Sequence, residues 1–164
     1  MPELKLSRAT LPLVSKSVQT PAYAPNFAQP GVLHLGLGAF HRAHQAMVFD
    51  QLLRDGDMRW GIHGVGMTQP GLVNKLRAQD GLYAGRVAGA TGIEWSVPGA
   101  LWQTSVATTE RHNVLNTIAA PSTRWITLTV TEKGYTPALA QLLIDGLRLR
   151  HAAGLTGLTI ASCD

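Results

Sequence analysis

The chain has 164 residues, 45% of them hydrophobic and 15% charged, with a single cysteine, Cys163. This composition supplies a sizeable core and excludes a disordered chain, an internal disulfide framework and a cysteine-built zinc site. The net charge of +4 comes from scattered side chains: Lys5, Arg8 and Lys16 near the start, and Arg124, Lys133, Arg148 and Arg150 far along the chain. No basic stripe interleaved with aromatics accompanies them, so they read as a solvated surface, not a nucleic-acid face. No apolar run approaches the ~20 residues that cross a bilayer, and the segment from Met1 to Lys16 lacks a signal-like apolar stretch. A cytoplasmic α/β domain is expected, with no membrane and no nucleic-acid partner.

Residues 1–28 carry Pro2, Pro12, Pro21 and Pro25 and read as an extended arm wrapping a body. The body begins with a short buried strand over Gly31–Gly36. Ala43, Ala46, Phe49 and Leu53 then fall at spacings of three and four, predicting one buried face of a helix over 41–54. A second apolar run covers Trp60–Val65. Thr68 is the expected N-cap of a helix with Pro70 in its first turn, running to about Ala78. Residues 82–107 are broken at Gly89, Gly92 and Pro98-Gly99 and predict short strands or a hairpin. Thr108 or Thr109 is the expected cap of a helix toward Ala119, ended by Pro121. Trp125–Thr131 is the strongest strand pattern, suited to an interior parallel strand covered on both faces. Leu139, Leu142, Leu143 and Leu147 mark an amphipathic helix, and Leu158–Ala161 a last strand. The alternation of strand and helix is that of a doubly wound, mostly parallel sheet.

The chemistry concentrates where the first strand ends, in Leu35-Gly36-Leu37-Gly38-Ala39-Phe40-His41-Arg42-Ala43-His44. Gly36 permits a tight strand-to-helix turn, and Gly38 lets backbone approach a pyrophosphate at the helix N-terminus. His41 stands where the third glycine of G-x-G-x-x-G would be. The other reading is a glycine turn that only joins two elements. Arg42 is a candidate phosphate contact or a plain surface arginine. His41 and His44 share one helical turn, but no acid or cysteine lies nearby in sequence, so packing or hydrogen bonding is favoured over metal ligation. The second strand ends in Val65-Gly66-Met67-Thr68-Gln69, without the acid that usually holds an adenosine ribose and without an adjacent arginine. NAD is the default, because nothing cationic in this stretch awaits a 2′-phosphate; NADP is not excluded. Residues 29–164 thus read as a dinucleotide-binding domain.

The run from His34 to Gln45 resembles the N-terminal fingerprint of the polyol-specific long-chain dehydrogenases, the group of mannitol 2-dehydrogenase and fructuronate reductase (mannonate oxidoreductase). Thr129-Val130-Thr131-Glu132-Lys133-Gly134-Tyr135 and Ser162-Cys163-Asp164 agree with it, in the same order. The resemblance implies a Rossmann-type NAD(P) domain followed by a mostly helical substrate domain. It implies metal-free, reversible hydride transfer between nicotinamide and a secondary alcohol of a polyol or hexuronate. The cofactor segment it implies is Val32, Gly36, Leu37, Gly38, Ala39, Phe40, His41, Arg42 and Ala43. Glu132 matches a family acid near the nicotinamide end that would help relay a proton; read by itself, it is a strand-end carboxylate capping a helix or pairing with Lys133.

The family's general-base lysine belongs to the second domain, so these residues alone are expected to be inactive and to be part of a longer protein. A polar loop is expected between Tyr135 and Thr136, where this chain is shorter than the family pattern. The implied partners are a small polyol or sugar-acid substrate and the chain's own C-terminal domain. The alternative is a nucleotide-binding module that never turns over. Cys163 is expected to be a packing residue at the edge of the core.

Overall fold

The computed structural model describes residues 5–90 and 92–163. Pro2 of the arm and Asp164 of the last motif lie outside the described residues. Five strands form one sheet: β1 (Val32–Leu35), β2 (Ile62–Gly66), β5 (Leu101–Val106), β6 (Trp125–Leu128) and β7 (Thr159–Ser162). Their order is β5-β2-β1-β6-β7 and every pairing is parallel. β3 (Gly85–Gly89) and β4 (Gly92–Ser96) make a separate antiparallel hairpin. The helices are α1 (Ala46–Arg54), α2 (Pro70–Arg77), α3 (Arg111–Ile118) and α4 (Pro137–Ala152).

The inner strands are buried on both faces because the crossovers lay helices on each side, whereas the edge strand β7 is largely exposed. Val32 and Ile62 pack with Phe49 and Leu53 of α1 and Val73 and Leu76 of α2. Leu33 and Leu35, pointing the other way, pack with Ile126, Val114 and Ile118 of α3 and Leu139 and Leu142 of α4. All four residues of β1 are buried, as befits the central strand. From β1 the chain winds outward to β2 and β5, then returns to β6 on the other side. The crevice between β1 and β6 is therefore the topological switch point where open α/β sheets bind ligands.

The arm meets this body at a charged junction, among other contacts. Buried Asp50 accepts hydrogen bonds from Tyr23 Oη, from Gly99 N (2.7 Å) and from Arg54 Nε (2.6 Å). Arg54 also reaches the Thr20 carbonyl, and Arg8 the Gly99 carbonyl. The arm is not featureless: Arg8–Leu13 forms a 3-10 turn capped by Ser7, and Gln19 bridges to Ser96.

Several expectations need correction. The helix after the glycine turn opens with a π-helical segment, His41–Gln45, which rotates Ala43 out to solvent and leaves Ala46, Phe49, Asp50 and Leu53 facing inward. Gln69, not Thr68, occupies the N-cap of α2, and it makes no side-chain cap bond. Glu110, not Thr108 or Thr109, occupies that position for α3; its carboxylate instead accepts from Val106 N (2.8 Å) and from Arg77. β6 stops at Leu128, and Trp125 at its start is 38% exposed. Arg150 is no surface charge: it is buried and donates to the carbonyls of Ile118, Ala120 and Thr156, closing the end of α3 against the loop after α4. Thr136, the N-cap of α4, accepts from Leu139 N.

Candidate functional site

The parallel register aligns Leu35 with Val65 on one side and Leu128 on the other, so β1, β2 and β6 deliver their chain ends side by side. Gly36 follows β1 with φ +103°, a conformation that L side chains rarely adopt. A Cβ there would also lie 2.9 Å from the Thr129 carbonyl carbon, so the turn closes against β6 only because residue 36 is glycine. Gly38 differs. A Cβ on it would meet nothing nearer than the Gly36 oxygen at 3.6 Å, so its outer side is open to an approaching ligand.

Beneath the turn lies a buried polar device that sequence reasoning missed. His34, on β1, is fully buried. Its Nε2 contacts the Gly36 carbonyl at 3.1 Å and Thr129 Oγ1 at 3.0 Å, and its Nδ1 contacts Thr127 Oγ1 at 2.8 Å. A carbonyl can only accept, so Nε2 carries the proton and Thr127 donates to Nδ1. Thr129 Oγ1 donates to the same carbonyl at 2.8 Å. Two donors thus hold the Gly36 oxygen inward.

His41 stacks on His34, with ring centroids 3.4 Å apart and planes within 10°. Its Nδ1 donates to Gln45 Oε1 (2.9 Å), and Gln45 Nε2 reaches Cys163 Sγ (2.6 Å). His41 Nε2 is buried without a partner. Burial pushes His34 down to about 3, helped by its neighbour His41, and pushes His41 down to about 4. Both rings are neutral near pH 7, which lets them stack without repulsion. The sequence signal was two histidines within the fingerprint, and only the fold shows that they touch.

The residues expected to form the cofactor segment separate into three groups. Val32 and Leu37 put their side chains in the core, and Val32 stands at the far end of β1 from the turn. Val32 seats the strand in the core. Gly36, Gly38, Ala39, Phe40 and His41 form the turn and the first helical residues, whose early N–H groups an intrahelical ladder leaves unpaired. Phe40 is 55% exposed and tilts against His44.

Arg42 and Ala43 line a pocket of about 200 Å³ with Tyr83. Arg42 Nε donates to the Gly38 carbonyl (3.2 Å), its guanidinium lies 5.8 Å over the Tyr83 ring, and Tyr83 Oη donates to the Arg42 carbonyl (2.8 Å). This leaves the two terminal nitrogens of Arg42 beside the turn. Glu132 opens a 3-10 turn beyond β6, exposed, and among the described residues it makes no ion pair with Lys133. Its side chain caps no helix, since Thr136 serves α4.

The arrangement suits a dinucleotide. No carboxylate occurs between residues 36 and 46, the backbone at Gly38 is approachable, and a helix N-terminus with a cationic side chain faces the same opening. Among the described residues no group of three or more His, Cys, Asp or Glu is placed to hold a metal ion, and no helix is long and apolar enough to cross a membrane.

Comparison with known proteins agrees. A family model for the mannitol dehydrogenase Rossmann domain matches residues 30–164. D-mannonate oxidoreductase of Escherichia coli K12 is 33% identical over 177 residues, covering 90% of this chain and 36% of that protein. Mannitol 2-dehydrogenase of Emericella nidulans is 35% identical over 143 residues, covering 82% of this chain and 28% of its own length. The structure of Pseudomonas fluorescens mannitol 2-dehydrogenase in ternary complex with NAD and D-mannitol superposes with a TM-score of 0.87 at 29% identity, over 98% of this chain and 39% of that one. The chain therefore spans less than two fifths of each of these proteins. Sheet order, glycine turn and family match converge: the chain belongs to the mannitol dehydrogenase family, as its Rossmann domain.

Proposed function

We propose that this domain is the NAD(H)-binding part of an oxidoreductase that moves a hydride between nicotinamide and a secondary alcohol of a polyol or hexuronate. The open side of Gly38, at the switch point and against a helix N-terminus, is the observation that carries this reading. NAD(H) supplies the hydride acceptor or donor when bound. The chain's own residues do the rest. The first N–H groups of the helix and its dipole meet the pyrophosphate, and the terminal nitrogens of Arg42 fork onto its oxygens. His34 and Thr129 hold the Gly36 carbonyl inward, so its negative end does not oppose the phosphate. The names of the relatives, a mannonate oxidoreductase and mannitol 2-dehydrogenases, supply the substrate class.

Within this reading Glu132, just past β6, is the acid that relays a proton near the nicotinamide end. Glu132→Gln in the complete protein is expected to lower kcat while leaving the Kd for NADH unchanged. For the domain itself, Gly38→Val is expected to raise the Kd for NADH at least about tenfold, because the side chain occupies the space of the pyrophosphate. The unfolding midpoint should scarcely move, since a Cβ at 3.6 Å from its nearest neighbour meets ordinary contact. NADH binding that is unchanged by Gly38→Val, or undetectable in the complete protein, overturns the proposal. Steady-state reduction of a ketose or ketohexuronate by the complete protein eliminates the alternative of a module without turnover.

A further inference from the structure

Resting on the dinucleotide reading above, we propose that Tyr83 is a positioning residue: its ring and its hydroxyl together hold Arg42 at the glycine turn, set to meet the pyrophosphate. The local chain plants Tyr83 firmly. Asp80 and Gly81 take positive φ of 54° and 77° after α2, a left-handed pair that reverses the chain at the helix end. Gly81 N donates to the Leu76 carbonyl (2.8 Å) and Leu82 N to that of Gln79 (2.9 Å), while Gln79 Nε2 returns to the Leu82 carbonyl (2.9 Å). The turn thereby delivers buried Leu82 and then Tyr83, only 9% exposed, into the core beside Ala46 and Phe49 of α1.

From this seat Tyr83 touches Arg42 twice. Its Oη donates to the Arg42 carbonyl at 2.8 Å, inside the π-helical segment His41–Gln45. A π-helical turn interrupts the i→i−4 ladder, and a donor from outside steadies it. Burial raises the Tyr83 phenol above its ordinary value, so the hydroxyl keeps its proton and stays a donor. The second contact is the ring, whose centroid lies 5.8 Å from Arg42 Cζ, within cation–π reach. Arg42 Nε meanwhile donates to the Gly38 carbonyl at 3.2 Å, and the Arg42 backbone N–H reaches the same oxygen at 3.3 Å. The side chain is thus fixed at its root and its head, and no carboxylate pairs with it among the described residues. An arginine free to rotate gives up that freedom when it grips an anion, so one already held binds at lower cost. Arg86, which lines the same pocket, shows the contrast. It is exposed and, among the described residues, has neither a stacked ring nor a carboxylate.

The test titrates the complete protein by calorimetry with NADH and with ADP, which both carry the diphosphate. The variants are Tyr83→Phe, Tyr83→Leu and Arg42→Met, each Tyr83 substitution combined with Arg42→Met, and the surface control Lys75→Met. Arg42→Met is expected to weaken NADH about tenfold, the order of one charge-assisted contact. Tyr83→Leu, which loses ring and hydroxyl, should also weaken it about tenfold, and Tyr83→Phe, which keeps the ring, about threefold. In the Arg42→Met background neither Tyr83 substitution should add more than about 1.5-fold, because the residue they act through is gone. ADP should follow NADH throughout, and Lys75→Met should change neither. A ring that only filled the core would weaken NADH equally with or without Arg42. That equal loss overturns the inference, as does a Tyr83→Leu with wild-type affinity. If urea denaturation shows Tyr83→Leu to be unfolded, the Tyr83→Phe cycle decides by the same criterion. In these cases wild type still binds NADH and Gly38→Val still weakens it, so the dinucleotide reading survives. Failure of NADH and ADP alike to bind wild type overturns both.

Discussion

The end of β1 and the ends of β2 and β6 lie side by side in one sheet and are built to opposite requirements. At β1 the polar groups are buried and, apart from His41 Nε2, bonded: His34 engages Thr127, Thr129 and the Gly36 carbonyl, with His41 stacked upon it. Along β2 and β6 the exits are open, with Thr68 and Lys133 exposed over an apolar floor. Buried networks hold a single geometry because each member left without a partner costs a full desolvation penalty. Exposed side chains change at little cost in stability. On the proposed dinucleotide reading, the pyrophosphate meets the part that cannot move.

The largest effect expected on this contrast is that of acid. His34, His41 and His63 are held neutral by burial, with values lowered to about 3, about 4 and about 4. His63 sits between Thr117 and Ser105 on the α3 side of the sheet. Below the ordinary histidine value the unfolded chain binds protons that the folded chain refuses, so stability falls as pH drops from about 6.5 toward 4 and is unaffected above. Three such groups give a limiting slope of about 4 kcal/mol per pH unit. Urea denaturation at pH 7, 6 and 5 measures it. His34→Gln is expected to remove about one third of the slope; a flat profile would break the claim that the stack is neutral and tight.

Gly36→Val comes next. The positive φ costs a β-branched residue about 1–2 kcal/mol, and the contact with Thr129 backbone adds the cost of reopening β1 from β6. A loss of about 3 kcal/mol or more in urea denaturation is expected, with NADH binding abolished. The contrast with Gly38→Val, two residues on, is sharp: the first glycine is needed for the fold and the second for the ligand.

The sequence made the strand and helix order legible, because β-branched runs and spaced leucines report burial on a covered parallel sheet directly. The glycine turn was legible as a strand-to-helix turn, while the residues alone left open whether it binds a nucleotide or only joins two elements. What escaped was whatever depends on two distant segments meeting. The stacking of His34 on His41 follows from how the π-helical opening turns residue 41 back over β1, and no periodicity in Phe40–Gln45 signals that opening. The gathering of Lys133 and Arg111 with Thr68 follows from β1 lying between β2 and β6, a matter of topology. Arg150 looked like a surface charge because its acceptors are carbonyls, which every residue has and no sequence pattern marks.

The smallest effects separate two threonines near the open pocket. Both sit just ahead of a proline that begins a helix, and by residue type both are fit to cap. Only Thr136 does so: its hydroxyl accepts from Leu139 N, while Thr68 stands one residue too early and Gln69 takes the cap position of α2 without a bond. Thr136→Ala is therefore expected to cost about 1 kcal/mol in urea denaturation, and Thr68→Ala less than about 0.5 kcal/mol. Equal losses would mean that Thr68 is held by the fold, and the open pocket beside it would then be as fixed as the glycine turn. Unequal losses in this order place the rigidity of the open pocket in α4, which frames it, and leave Thr68 without a part in holding the fold.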